Sequence, residues 1–445
     1  METYNTDDII FALATGWNQS ALAVIRISGE SSLKALSTCF SRPKSLLAAK
    51  NATLLHGYIL GEDNHKIDEV VVSINLKGHG YTKEEAIEIT THGSLAVITA
   101  IMNELSLHGM RQAKGGEFTL RAFLNGAMDL TQAEAVHELV KSQSQMERGL
   151  ALGRLQGSLH KRIEELKQNL LQAMAVIEVQ LDYAEDEVED FDFPKQIIEN
   201  TKNDIATLLN TYETGRLYGQ GVKIVLAGST NAGKSSLFNL LLKQQRAIVS
   251  DIRGTTRDYI EAHTTIRGIP VRLYDTAGLR DSNDVIENEG IKRTKELLDA
   301  CDVIIYLVDG VDEDTIVDTS IIDNPKTILA YTKRDIKHRK EAISISTITA
   351  EGLEHLFDAI IEKTASGISI SDDSTLVIES SRQFNLLEEA KESLNSALEL
   401  AAIDMGLDII ALELSSAITS LGGLTGEITS DDILEKIFSG FCVGK

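Results

Sequence analysis

The run Lys223-Ile224-Val225-Leu226-Ala227 leads directly into Gly228-Ser229-Thr230-Asn231-Ala232-Gly233-Lys234-Ser235, and then into Leu237-Phe238-Asn239-Leu240-Leu241. No other segment constrains the fold as much. An apolar, β-prone run that ends in G-x-x-x-x-G-K-S and continues helically dictates a strand, a phosphate loop and a helix, in that order. The glycines let backbone N–H groups wrap a phosphate at the helix N-terminus. In such a loop Lys234 reaches the β/γ-phosphates and the Ser235 hydroxyl ligates Mg²⁺. Further β-prone runs at Val303-Ile304-Ile305-Tyr306-Leu307-Val308 and Thr327-Ile328-Leu329-Ala330-Tyr331 alternate with helical segments, which predicts a parallel α/β sheet from Gly221 to about Lys363.

Three later motifs stand in the order a GTPase needs. Asp275-Thr276-Ala277-Gly278 fits D-x-x-G, where Asp275 holds a water on Mg²⁺ and the Gly278 N–H reads the γ-phosphate. In Thr332-Lys333-Arg334-Asp335, Asp335 can accept two hydrogen bonds from the guanine edge, which adenine cannot supply, with Lys333 over the base. Ser346-Thr347-Ile348 stands where a loop completes the guanine pocket. The four together imply a guanine nucleotide site. Leu279 follows D-x-x-G where many small GTPases carry a water-orienting glutamine, so hydrolysis needs another device; Arg280, Glu287 and Glu289 are within reach.

Around this module the pattern changes. Ala21–Gly29, Glu69–Asn75 and Ala86–Gly93 read as strands, with a helix over Ser94–Glu104, an α+β pattern. Leu155, Leu159, Ile163, Leu166, Leu170 and Met174 recur at helical spacing, as do Leu386, Ala390, Leu394 and Leu398, while the acidic run Asp182–Asp192 reads as a solvated loop. The expected division is 1–118 for the N-terminal domain, 119–218 for the first helical part, 219–368 for an inserted Ras-like P-loop module and 369–445 for the second helical part. The fold class is thus multidomain, α+β and α/β, with a helical domain interrupted by the P-loop module.

The formal charge of −24 over 445 residues argues against nonspecific coating of nucleic acid, so any unaided nucleic-acid binding should be weak and salt-dependent. No uninterrupted apolar stretch reaches the ~18–20 residues of a membrane span, and the acidic start is unlike a signal peptide, so a cytoplasmic protein with no membrane association is expected. Cys39, Cys301 and Cys442 lie too far apart for a CxxC metal site. Cys442 is fourth from the end, but Gly444 and Lys445 do not fit a prenylation motif; a buried free thiol is the simpler reading.

The whole chain resembles the MnmE (TrmE) family of tRNA-modification GTPases. Besides the nucleotide motifs, the resemblance is carried by Val24-Ile25-Arg26-Ile27-Ser28-Gly29, Gly115-Gly116-Glu117-Phe118-Thr119, Arg121-Ala122-Phe123-Leu124-Asn125-Gly126, Ala133-Glu134-Ala135, Asp251-Ile252-Arg253-Gly254-Thr255-Thr256-Arg257-Asp258 and the terminal Phe441-Cys442-Val443-Gly444-Lys445. It implies an N-terminal folate-binding and dimerisation domain. It also implies a homodimer whose G domains meet across their nucleotides with K⁺ in place of an arginine finger, and a heterotetramer with the FAD-dependent partner MnmG (GidA). The activity implied is K⁺-activated GTP hydrolysis driving an aminomethyl-type modification at C5 of the wobble uridine of certain tRNAs, with 5,10-methylene- or 5-formyl-tetrahydrofolate as one-carbon source.

The resemblance also assigns residues. Nucleotide contacts are implied at Asn231, Ala232, Gly233, Lys234, Ser235, Ser236, Ser250, Asp251, Ile252, Arg253, Gly254, Thr255, Thr256, Asp275, Thr276, Ala277, Gly278, Thr332, Lys333, Asp335, Ser346 and Thr347. Ser235 and Thr256 would hold Mg²⁺; Asn231, Ser250, Ile252 and Thr255 would hold K⁺. Glu287 and Cys442 are the implied catalytic residues, and Arg26, Glu88, Ala127 and Lys445 mark the folate site. Ala127 departs from the lysine relatives commonly carry, and Thr332 from their asparagine. A regulatory GTPase switch also fits the inserted module, and a chain that binds without catalysis is a third reading; the N-terminal motifs and the Cys-containing tail favour the enzyme.

Overall fold

The structure is a computed structural model, and it describes residues 6–142, 144–182, 192–229, 231–244, 260–275, 295–312, 317–339, 342–365 and 376–444. Its contacts divide the chain into two compact units, Met1–His137 with Arg154–Gln172 and Leu414–Lys445, and Glu138–Gly153 with Ala173–Glu413. The helical segments expected at 119–218 and 369–445 contribute to both.

The first unit is built on strands β1 (Ile10–Leu13), β2 (Leu22–Ser28), β3 (Thr53–Leu60), β4 (Lys66–Asn75), β5 (Ala86–His92) and β6 (Arg111–Gln112). They lie in the order β3-β4-β5-β2-β1-β6, antiparallel except for β1 with β6. Period-two alternation sends Ile25, Ile27, Ile87 and Ile89 into a core shared with Ile98, Ile101 and Leu105 of the helix Leu95–Leu107. Each such fully buried side chain contributes about 1.5–3 kcal/mol. The same alternation turns Arg26 and Glu88 to the other face, where the register sets them opposite each other. The sequence pattern found β2, β4 and β5 but missed the short β1 and the β3 hairpin partner, whose apolar residues are interrupted by His56 and Gly57.

A buried ion network closes this unit. Arg121, 1% exposed, donates to Asp8 Oδ1 (2.6 Å), the Asp8 carbonyl (2.8 Å) and Glu117 Oε1 (3.2 Å). Arg111 bridges the same two carboxylates, to Glu117 Oε1 at 2.7 Å and Asp8 Oδ2 at 2.8 Å. The motif residues Glu117 and Arg121 therefore act structurally. Removing either of its fully buried members, Arg121 or Glu117, leaves an uncompensated buried charge, a cost of about 3–5 kcal/mol. The chain end packs here too. Leu434, Phe438 and Phe441 join Leu120, Leu130 and Ala133 in one apolar cluster, and Val443 forms a bridge with Gly115.

The second unit holds β7 (Val222–Gly228), β8 (Ile260–Ile266), β9 (Ile269–Asp275), β10 (Val303–Asp309), β11 (Thr327–Thr332) and β12 (Ile343–Ser344), in the order β12-β11-β10-β7-β9-β8. All pairs are parallel except β8 with β9. Leu237 and Leu241 of the helix Lys234–Gln244, and Leu356 and Ile360 of Leu353–Ala365, cover one face of the sheet. Helices Lys195–Leu209 and Ser381–Ala402 pack together in the same unit. Among the described residues, one helix, Leu407–Thr425, is long and apolar enough to cross a membrane by length and composition alone, although Asp408 and Glu413 interrupt it.

Candidate functional site

The sheet order places β7 between β10 and β9, so successive connections leave its carboxyl end in opposite directions. That is the switch point where open α/β sheets bind ligands. At the end of β7, Gly228 has φ 136°, and a Cβ there would lie 2.2 Å from the backbone carbonyl of Leu307 on β10. Only glycine lets the two strands run this close into the loop. Asn231 (φ 62°) and Gly233 (φ 89°) complete the left-handed turns.

Lys234, first residue of its helix, reaches back over the loop. Its ammonium donates to the carbonyls of Gly228 (3.0 Å) and Ser229 (2.8 Å). The Ser235 hydroxyl donates to Oδ2 of Asp275, 2.9 Å away at the end of β9 and 3% exposed. The two groups expected to serve one Mg²⁺ are thus brought together: a hydroxyl and a carboxylate, hard oxygen donors of the kind that cation takes alongside water and phosphate. Ala232 is buried, whereas Asn231, Ser235 and Ser236 are exposed. The Asn231 side-chain amide supplies a hard oxygen suited to K⁺.

At the other end of the cleft, Thr332 closes β11 and is buried, its hydroxyl donating to the Val308 carbonyl at 3.3 Å. Its methyl would be 3.4 Å from a Cβ on Gly233, so the base loop and the phosphate loop touch here. Lys333, at φ 58°, turns its ammonium onto Asp309 Oδ2, 2.5 Å away at the end of β10. That hydrogen bond, ahead of a smaller opposing effect of burial, holds the Asp309 carboxyl below the usual carboxylate range. Ser346 donates to Asp335 Oδ1 at 2.7 Å and itself accepts from the N–H groups of Ile348 (3.3 Å) and Thr349 (3.1 Å), which fixes the carboxylate. Thr347 is half-buried beside it. Asp309 was not found from the sequence. Its only signal was an Asp-Gly turn pair directly after a buried strand.

Ser250, Asp251, Ile252, Arg253, Gly254, Thr255, Thr256, Thr276, Ala277, Gly278, Glu287 and Lys445 lie outside the described residues. Among the described residues, no group of three or more His, Cys, Asp or Glu side chains could hold a metal ion.

The first unit carries a separate constellation. Arg26 donates through Nε (3.0 Å) and Nη2 (2.8 Å) to Glu88 Oε1, and through Nη1 to the carbonyl of Gly444 at 3.3 Å. Its guanidinium carbon lies 5.3 Å from the Tyr81 ring centre and 5.8 Å from that of Phe118. Two of the residues expected at the folate site, Arg26 and Glu88, therefore meet each other. Guanidinium, carboxylate and two aromatic walls remain chemistry suited to a flat, amide-rich, acidic ligand. Ala127 is half-buried, its N–H bonded to the Ala122 carbonyl at 2.8 Å. Cys442 is exposed, which corrects the reading of a buried thiol. The buried thiols are Cys39 and Cys301, which burial pushes up to about 12 and about 11.

Comparison with known proteins gives this arrangement its kinship. The description "GTP-binding protein TrmE N-terminus" matches residues 9–127 and "MnmE helical domain" matches residues 130–442. A protein of Treponema denticola named tRNA modification GTPase MnmE is 40% identical over 470 aligned residues, covering 99% of both chains. One of the same name from Borrelia recurrentis is 39% identical, again over 99% of both. The chain belongs to the MnmE family of tRNA modification GTPases. It is accordingly a GTP hydrolase, and the cleft at the end of β7 holds that family's phosphate loop. Among solved structures, the G domain of the T. maritima FeoB iron transporter is 30% identical across 32% of this chain and 98% of its own, with a TM-score of 0.26.

Proposed function

We propose that this MnmE-family chain is a K⁺-activated GTPase that works with an FAD-dependent partner, MnmG (GidA), on tRNA. Together they add an aminomethyl or carboxymethylaminomethyl group at C5 of the wobble uridine, using a one-carbon tetrahydrofolate. The observation that carries this reading is that one chain holds both a phosphate cleft with Ser235 on Asp275 and a separate Arg26–Glu88 pair under its own C-terminal tail. A switch GTPase needs only the first. The relatives named above bear the tRNA-modification title over their full length.

In this reading Lys234 and the backbone of Asn231–Ser235 hold the phosphates, Ser235 and Thr256 hold Mg²⁺, and Asp335 selects guanine. K⁺ is held by Asn231 with Ser250, Ile252 and Thr255, and supplies positive charge where GTP hydrolysis builds negative charge. Glu287 orients the attacking water in place of the glutamine that Leu279 displaces. Two copies assemble through the N-terminal domains, spanning 1–118, with the GTPase module at 219–368 between helical parts 119–218 and 369–445. In that domain Arg26 and Glu88, with Ala127 and Lys445 at the margins, take the folate, and Cys442 faces it. The protein works in the cytoplasm and not in a membrane.

The deciding experiment is nucleoside mass spectrometry of tRNA from cells lacking the chain, with and without its restoration. Loss and recovery of 5-aminomethyl-type wobble uridines is expected. An unchanged nucleoside profile would leave a regulatory GTPase. Equal GTPase rates in NaCl and KCl would remove the K⁺ assignment, and full activity in Glu287→Ala would remove that residue.

A further inference from the structure

We propose that Asp309 is a positioning residue of the nucleotide site: it holds the Lys333 ammonium at the end of β10 so that the lysine's methylene chain lies across the guanine pocket before nucleotide arrives. The inference rests on the guanine-site reading above and adds a residue that none of the nucleotide motifs contains.

The geometry is specific at both ends. Asp309 and Thr332 are register partners at the carboxyl ends of neighbouring parallel strands. Oδ1 of Asp309 accepts the Val311 N–H at 3.0 Å, which fixes the carboxylate rotamer, and Oδ2 takes the Lys333 ammonium at 2.5 Å. The Asp309 side chain is 16% exposed and that of Lys333 43%, so the pair sits at the cleft mouth with its anionic member the better sheltered. Lys333 follows β11 in the left-handed conformation, which turns its side chain back toward β10 rather than out to solvent.

The need for such a hold follows from the neighbours. The Thr332 hydroxyl is engaged by Val308 within the sheet, and Asp335 is tied to Ser346. Thr332 and Lys333 are therefore both anchored to β10 and Asp335 to Ser346, and Lys333 is the one with most rotamer freedom to lose when a base packs beneath it. A lysine already held in place loses less of that freedom on binding, which is preorganisation. The carboxylate also neutralises the ammonium, so the base meets methylenes and leaves hydrogen-bond recognition to Asp335.

The test uses the full chain and fluorescent N-methylanthraniloyl-GDP. Asp309→Asn keeps an oxygen for the Val311 N–H but loses the charge, so it separates lysine holding from turn shaping. Its Kd for the nucleotide is expected to rise about tenfold, with the loss appearing in KM for GTP rather than in kcat. In a Lys333→Ala background the same substitution should change Kd by less than about twofold, because a residue acting only through its neighbour shows no effect without it. An unchanged Kd in Asp309→Asn, or a penalty that adds fully to that of Lys333→Ala, would overturn the proposal. Failure of the wild-type chain to bind GDP would instead strike the guanine-site reading itself.

Discussion

The phosphate cleft and the Arg26 cluster, the proposed folate site, are assembled by opposite means. In the cleft the holding groups come from one stretch of eight residues, and the decisive feature is backbone conformation: Gly228 and Gly233 at positive φ and a lysine folded over its own loop. In the first unit the groups come from β2, β5, the loop at Tyr81, the helix at Phe118 and a carbonyl 418 residues further along the chain. A local device tolerates little change at its glycines but asks nothing of distant residues. A distributed device depends on strand register and on the seating of the tail. The comparison can be broken by showing that either site behaves like the other.

The largest effect is expected at Gly228→Ala. A methyl there meets the Leu307 carbonyl at 2.2 Å and the first loop residue leaves the glycine region of φ. Strain of this kind costs about 2–3 kcal/mol, which converts to about a hundredfold weaker GDP binding if the loop bears it. Isothermal titration would measure it, and Arg26→Ala should leave that affinity unaltered. Coupling between the two substitutions would mean that the sites are not separate devices.

Gly116→Ala probes the distributed site in the same way. Gly116 sits at φ 71°, and a methyl would lie 2.5 Å from the Phe438 carbonyl. The expected cost is about 2 kcal/mol of stability in the first unit, with looser tail packing. Hydrogen exchange should show faster exchange at 438–444 and little change at the phosphate loop. Unchanged protection of the tail would mean that it is seated by the apolar cluster of Phe438 and Phe441 alone.

The same contrast explains how much of each site was legible. Gly228, Lys234 and Ser235 could be read directly because their conformations are set by neighbours in sequence, and β7, β10 and β11 carry apolar runs that only a buried parallel sheet explains. Arg26 and Glu88 were found as residues, but their mutual pairing was not, since it depends on the register of β2 with β5 and no local signal encodes that. The stretch Glu117–Arg121 carried the resemblance with no role attached, and its charged residues serve a buried ion network with Asp8 and Arg111. Asp309 escaped for the same reason as the Arg26–Glu88 pairing: its role arises across a strand pair.

A third substitution sharpens the difference in mechanism. Arg26→Lys retains charge but cannot offer two donors to one carboxylate oxygen and a third to the Gly444 carbonyl. With side chains 20% and 38% exposed, the pair is partly screened, so the expected loss of stability is about 1 kcal/mol. Under the proposed folate assignment, the expected loss in tetrahydrofolate affinity is larger, about tenfold, measured by titration calorimetry. Equal folate binding by Arg26→Lys and wild type would mean that only charge matters there, and the distributed site would be no more geometric than a charged surface.

The smallest effect expected is one of pH, and it concerns the network that supports the distributed site. Burial alone would raise the Asp8 carboxyl, but hydrogen bonds from Arg111 and Arg121 outweigh it and hold the group below its ordinary value of 3.8. Between the folded value and 3.8 the unfolded chain binds the proton and the folded chain does not. The stabilisation is therefore complete above the ordinary carboxyl range and fades as pH falls through the lower, folded value. Denaturant titrations should show the first unit losing stability below about pH 4 more steeply in wild type than in Asp8→Asn, which at pH 7 should already be weaker by about 0.5–1 kcal/mol because Asp8 is a quarter exposed. If the two proteins respond to acid in parallel, Arg121 is satisfied without Asp8, by Glu117 and by Glu84 Oε2, 3.5 Å away, and the N-terminal strand is held by its apolar residues Ile10 and Phe11 alone.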